Sequence, residues 1–145
     1  MVSREARASR SNFKVWAAFS TRWADNDVYG HVNNTVFYAW FDSAVNGWLV
    51  EQGLLDIAAG DPIALVVETR CSYFAPIAFP GNVDVGLAVA QLGRSSVRYS
   101  IGVFASNDDL AAAQGEFVHV LVDRTNRRPV AMPDDWRRKL EAIVR

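Results

Sequence analysis

Residues 21–42, TRWADNDVYGHVNNTVFYAWFD, crowd Asp25, Asn26, Asp27, Gly30, His31, Asn33 and Asn34 into ten positions, just before the most aromatic run of the chain. Asp, Asn and Gly at this density make turns, and Asn33-Asn34-Thr35 supplies residues favoured at helix N-caps. The same arrangement has a chemical use. The first N–H groups of a helix lack intrahelical acceptors, and the helix dipole adds partial positive charge there. Such an end can hydrogen-bond a carbonyl oxygen as it becomes an oxyanion. A carboxylate beside it, from Asp25 or Asp27, can attack that carbonyl or activate a water. Gly30 lets the backbone pass close to a ligand. A carboxylate next to a polarised carbonyl is the equipment of acyl transfer or hydrolysis.

Other chemistries lack their residues. There is no GxSxG nucleophile elbow, P-loop, GxGxxG or HExxH string. His31 and His119 are the only histidines, so serine and cysteine nucleophiles have no visible base constellation. Asp25, Asp27 and His31 have a spacing that could offer three metal ligands, but no fourth is apparent, so no metal and no cofactor are expected. The single cysteine, Cys71, excludes an internal disulfide framework and fits a reducing, cytoplasmic setting.

The elements that must position these residues follow from the patterning. With 145 residues, 50% hydrophobic and 21% charged, the chain is the size and balance of one globular domain with a real core. A net charge of −1 and the lack of a long apolar run argue against nucleic-acid and membrane partners. Residues 1–11, with Arg4, Arg7 and Arg10 and no apolar stretch, are expected to form a flexible, solvated arm and not a secretory signal. Residues 12–145 are expected to form the single domain.

Residues 14–23 read as a first strand, and residues 25–30 as a turn. From 36 to 51 the spacing predicts a helix, with Phe37, Phe41, Ala44 and Trp48 on one stripe and Val36, Trp40, Val45 and Leu49 widening it. A helix so apolar around its circumference should be largely enclosed, and Gly53 should cap it. Alternating strands follow around residues 65–73, 83–89, 97–103 and 117–122. Short turns between them argue antiparallel neighbours. A short helix opens at Pro133-Asp134-Asp135. The order of one strand, one long buried helix, four strands and a short helix is that of an α+β domain whose antiparallel sheet of about five strands curls around the helix.

The string Asp27-Val28-Tyr29-Gly30-His31-Val32-Asn33-Asn34, with Tyr38 and Asp42 on the following helix, resembles the signature of hotdog-fold acyl-CoA thioesterases. The type most similar is the 4-hydroxybenzoyl-CoA thioesterase and YbgC-like group, and the HVNN portion is also similar to acyl-carrier-protein thioesterases. The resemblance runs from about Phe13 to Leu140 and takes in the Gly93-Arg94-Ser95-Ser96 turn. It implies a hotdog fold, a homodimer or homotetramer with sites between subunits, and hydrolysis of an acyl-CoA to free acid and coenzyme A. Asp27 matches the catalytic carboxylate, acting as nucleophile or general base. Asn34 matches the helix-start position whose N–H polarises the thioester carbonyl. Tyr29, Gly30, His31 and Asn33 fall on the signature, with His31 assisting catalysis in some members. Arg94, Ser95 and Ser96 match a region that touches the coenzyme A nucleotide, and a guanidinium suits phosphate; Arg127 and Arg128 are lesser candidates of the same kind.

Blander roles are available to each residue. Asp27 can serve as a turn residue and Asp25 as a turn or capping partner. Asn33 and Asn34 are good caps in any protein, His119 and Cys71 suit a core, and Arg94 suits a solvated turn. A non-catalytic acyl-CoA or acyl-carrier-protein binding module is the alternative function, since fold does not fix function. A hotdog hydratase would need a different active-site string.

Overall fold

A computed structural model describes residues 5–145. Its elements in chain order are β1 (Val15–Ser20), α1 (Asn34–Glu51), β2 (Ile63–Tyr73), β3 (Asn82–Leu92), β4 (Ser96–Ala105), β5 (Ala113–Val122) and α2 (Asp134–Glu141). All five strands form one antiparallel sheet in the order β1-β3-β4-β5-β2. This is the expected hotdog arrangement, one long helix held by one curled sheet.

The strand order departs from the expectation that consecutive strands are neighbours. β3, β4 and β5 do form a meander, but β2 pairs with β5 and β1 with β3. The strands that flank α1 in the sequence therefore lie at opposite edges. The segment from Phe74 to Gly81, which contains the cis Phe79–Pro80 bond, carries the chain from one edge back towards the other.

α1 follows its sequence pattern closely. Asn33 is the N-cap, its side-chain oxygen accepting from the Thr35 N–H at 3.0 Å. At the other end Gly53 takes φ +73, and the Gly53 and Leu54 N–H groups close on the carbonyls of Val50 and Leu49. That is a Schellman ending, which needs the left-handed conformation glycine adopts freely. Phe37, Trp40, Phe41, Ala44, Val45, Trp48 and Leu49 are buried against inward-facing residues such as Val85, Leu87, Tyr99, Ile101 and Phe117. The helix is not enclosed all round, however. Tyr38, Asp42, Ser43 and Val50 are exposed, because a single sheet covers a single face.

The convex face of the sheet carries a second, smaller cluster of Phe13, Ala88, Phe104 and Ala111. Phe13 lies where side chains on Gly86 and Gly102 would collide with its ring. Residues 1–4 lie outside the described ones. The rest of the expected solvated arm is tied down: Ala111 N–H donates to Ala8 O at 2.9 Å, and Arg10 bonds Asp84 at 2.9 Å while its guanidinium stacks over Trp16 and Phe104. Three arginines in a short polar stretch concealed these long-range partners. α2 closes the far end, burying Trp136 and Leu140. Among the described residues no helix is long and apolar enough to cross a membrane.

Candidate active site

The polar crowd at residues 25–34 folds as a small closed loop seated on the connection before β3. Asn26 and Val32 form an antiparallel bridge. The Val32 N–H donates to Ile77 O at 2.6 Å, and Asn26 Oδ1 accepts from the Phe79 N–H at 3.0 Å. Asp27 and His31 face each other at the tip, where the Asp27 N–H donates to His31 O at 2.9 Å. The Asp27 carboxylate accepts from the Tyr29 N–H at 2.9 Å, a local turn that aspartate makes readily. Gly30 has φ +79, which the tip requires.

Asp25 fulfils its turn-and-cap reading. It is buried, and its carboxylate accepts from the Arg22 backbone N–H at 2.8 Å and from the Arg22 guanidinium at 2.7 and 2.9 Å. Its carbonyl accepts from the Asn33 N–H at 2.8 Å. Asp25 thus couples the end of β1 to the start of α1. The supporting Arg22 was invisible as such in the sequence, because an exposed arginine three residues before an aspartate is common.

The helix start has one donor left over. Thr35 N–H goes to the Asn33 side chain, and Val36 N–H to Asn33 O. Among the described residues no hydrogen bond engages the Asn34 N–H. Beside it lies a shallow cavity of about 280 Å³, lined by His31, Asn34, Phe37, Tyr73 and Ile77 among others. An open donor at a helix N-terminus, an apolar recess and a carboxylate on the adjoining tip are the parts required to polarise and attack a carbonyl. No three His, Cys, Asp or Glu side chains among the described residues converge to hold a metal ion, and Asp25 is committed to Arg22.

Comparison with known proteins gives the family. The model of the thioesterase-like superfamily matches residues 21–140. The chain belongs to that superfamily. Among solved structures, it is similar to the PA5185 protein from Pseudomonas aeruginosa strain PAO1, with 50% identity and a TM-score of 0.92 over 96% of this chain and 97% of that one. It is similar to a thioesterase from Thermus thermophilus crystallised with coenzyme A and Zn, at 29% identity and TM-score 0.74, over 91% of this chain and 95% of that one. A 1,4-dihydroxy-2-naphthoyl-CoA thioesterase from Synechocystis shares the fold, at 20% identity and TM-score 0.78 over 86% and 93% of the two chains. No curated protein matches the chain.

Not every candidate of this superfamily member meets at the cavity. His31 and Asn34 line it, whereas Asp27, Tyr29, Gly30 and Asn33 share the same loop and helix start without lining it, Tyr29 being 81% exposed at the tip. Arg94, Ser95 and Ser96 stand apart. The Asp27 loop lies near Asn82, where β3 begins, and Gly93 follows Leu92, where it ends. Eleven strand residues at about 3.3 Å each put roughly 30 Å between the two ends. The Gly93–Ser96 turn is well built: Ser96 O accepts from Gly93 N–H, Ser95 O from Leu121 N–H and Arg94 O from Met132 N–H. The Arg94 side chain is exposed, with no hydrogen bond or ion pair to it among the described residues.

One residue at the cavity was missed. Tyr73, the last residue of β2, donates its hydroxyl to Asn34 O at 3.1 Å and packs edge-on to Phe37. Burial, with the Cys71 thiol nearby, pushes its phenol up, and burial pushes the Cys71 thiol up to about 11. A contact spanning 39 positions leaves no local signal.

Proposed function

We propose that this protein is an acyl-CoA thioesterase of the 4-hydroxybenzoyl-CoA thioesterase and YbgC-like type. The observation that carries the reading is the unengaged N–H of Asn34 at the start of α1, a residue that lines a recess beside His31 of the Asp27 loop. The thioester carbonyl accepts from the Asn34 N–H, and the helix dipole favours the growing oxyanion. Asp27 either attacks the carbonyl, giving a mixed anhydride that water then opens, or takes a proton from the attacking water. In both routes the C–S bond breaks, the coenzyme A thiolate leaves and gains a proton, and the acyl group departs as the free acid. No metal or cofactor is required. His31, which lines the recess, assists proton movement.

The coenzyme A bound to the Thermus thermophilus relative supports the choice of thioester. Tyr29, Gly30 and Asn33 shape the acyl side of the site. Arg94, Ser95 and Ser96 hold the nucleotide phosphates, and the roughly 30 Å between them and Asp27 within one chain is best met by a turn from another subunit. β2 offers a free sheet edge for such pairing, with Val66 and Val67 exposed. The assembly is accordingly a homodimer or homotetramer with sites between subunits, working in the cytoplasm.

Thiol release from a panel of aryl and straight-chain acyl-CoAs tests the reading. Turnover by the wild type, with a loss of about a hundredfold or more in Asp27→Asn, supports it. Acyl-CoA binding without turnover would replace it with the binding-module function, and full activity in Asp27→Asn would overturn the assigned carboxylate.

A further inference from the structure

The start of α1 is anchored several times, but almost always to itself or to the loop before it. Asn33 N–H is held by Asp25 O, Asn33 O by Val36 N–H, and Asn33 Oδ1 by Thr35 N–H. Among the described residues, a side-chain hydrogen bond also ties this first turn to the sheet. The Tyr73 hydroxyl, at the end of the edge strand β2, donates to Asn34 O at 3.1 Å. The Tyr73 ring also meets Phe37, one turn further along, with centroids 5.2 Å apart and planes at 89°. Asn34, Phe37 and Tyr73 line the same cavity.

We infer that Tyr73 is a positioning residue, fixing the first peptide of α1 so that the Asn34 N–H stays aimed into the recess. The inference rests on the proposed thioesterase reading and adds a residue to it. A donor to an oxyanion acts only when held within a few tenths of an ångström and about 10–20° of its working direction. Helix ends fray when their contacts are weak. Tyr73 acts against that by joining two elements that are remote in sequence. Its phenol is protonated near neutral pH, as any tyrosine is, and partial desolvation raises it further, so the donor is present. Deleting an oxyanion donor outright costs about 10²–10³ in kcat. Loosening one costs less.

The test is Tyr73→Phe in the full chain, which keeps the ring against Phe37 and removes only the hydroxyl. Two readouts are needed. By nuclear magnetic resonance, the Asn34 and Thr35 amides should shift, and the hydrogen-bonded Thr35 amide should exchange faster with solvent, while the mid-helix Gly47 amide stays unchanged. With the best acyl-CoA of the panel, kcat should fall about tenfold with KM within about twofold and an unchanged melting temperature. Unmoved Asn34 and Thr35 amides would overturn the inference. A raised KM at constant kcat would also overturn it, making Tyr73 a substrate contact instead. The amide readout uses no substrate, so a wild type without turnover would sink the thioesterase reading while the Tyr73 tie is still decided by the amides.

Discussion

The backbone N–H of Asp27 donates to the carbonyl oxygen of His31 across 2.9 Å. The two most chemically capable side chains of the loop are thus joined through main chain at the base of one turn. Neither needs the other's side chain to hold its place, so their contributions to rate and to stability separate.

Asp27→Asn and Asp27→Ala should both abolish most turnover, by about a hundredfold or more. Only the alanine should also disturb the loop. Asparagine keeps an oxygen that can accept from Tyr29 N–H, whereas alanine leaves that donor without its partner. Melting temperature and kcat measured side by side check this: equal melting of wild type and Asp27→Asn, with a lower value for Asp27→Ala.

Gly30 sits at φ +79 and, its chain neighbours aside, no atom of the described residues lies within 4 Å of where a Cβ would stand. The cost of Gly30→Ala is therefore conformational alone, about 1 kcal/mol. Asparagine tolerates the left-handed region better, so Gly30→Asn should melt between the wild type and Gly30→Ala. A clash would reverse that order, and thermal unfolding of the three proteins reads it directly.

His119 is buried on β5, and desolvation holds its imidazole down to about 4, against 6.5 for the free side chain. Among the described residues its Nδ1 has no hydrogen-bond partner. The unfolded chain therefore takes up this proton first as the pH falls. The stability tied to a neutral His119 is complete above pH 6.5 and drains away towards pH 4. The total is on the order of 3 kcal/mol. Urea unfolding at pH 7 and pH 4.5 should show a drop in wild type that is much reduced in His119→Leu.

Arg94 lies in the turn at the far end of β3. Arg94→Ala should raise KM for a coenzyme A thioester by about tenfold, the effect of losing one modest phosphate contact. The same variant should handle an N-acetylcysteamine thioester, which lacks the nucleotide, as well as wild type does. A parallel change on both substrates would remove Arg94 from nucleotide recognition.

Much of the fold was legible because its signals are local. Alternating residues marked β2 to β5, and the Phe37-Phe41-Ala44-Trp48 stripe marked α1. Asn33 as cap and Gly53 as terminator are decided within a few residues. Strand order was not legible, since short connections suggest neighbours whereas the sheet must send β1 and β2 to opposite edges to curl over α1. The candidate site divides the same way. Asp27, Gly30 and Asn34 belong to one contiguous turn and cap. Tyr73 meets Asn34 only through the tertiary fold, Arg10 meets Asp84 across the sheet, and the placement of Arg94 opposite the loop depends on the whole length of β3.

The strand order also bears on how the chain is made. β1 and α1 emerge from the ribosome first, but the central strands that pair with β1 and cover α1 come from the second half of the sequence. Until the β3-β4-β5 meander is complete, the apolar face of α1 lacks the central strands that cover most of it. The nascent chain must therefore carry Phe37, Phe41, Trp48 and their neighbours unburied through most of its synthesis, the interval in which exposed apolar surface invites aggregation or chaperone capture.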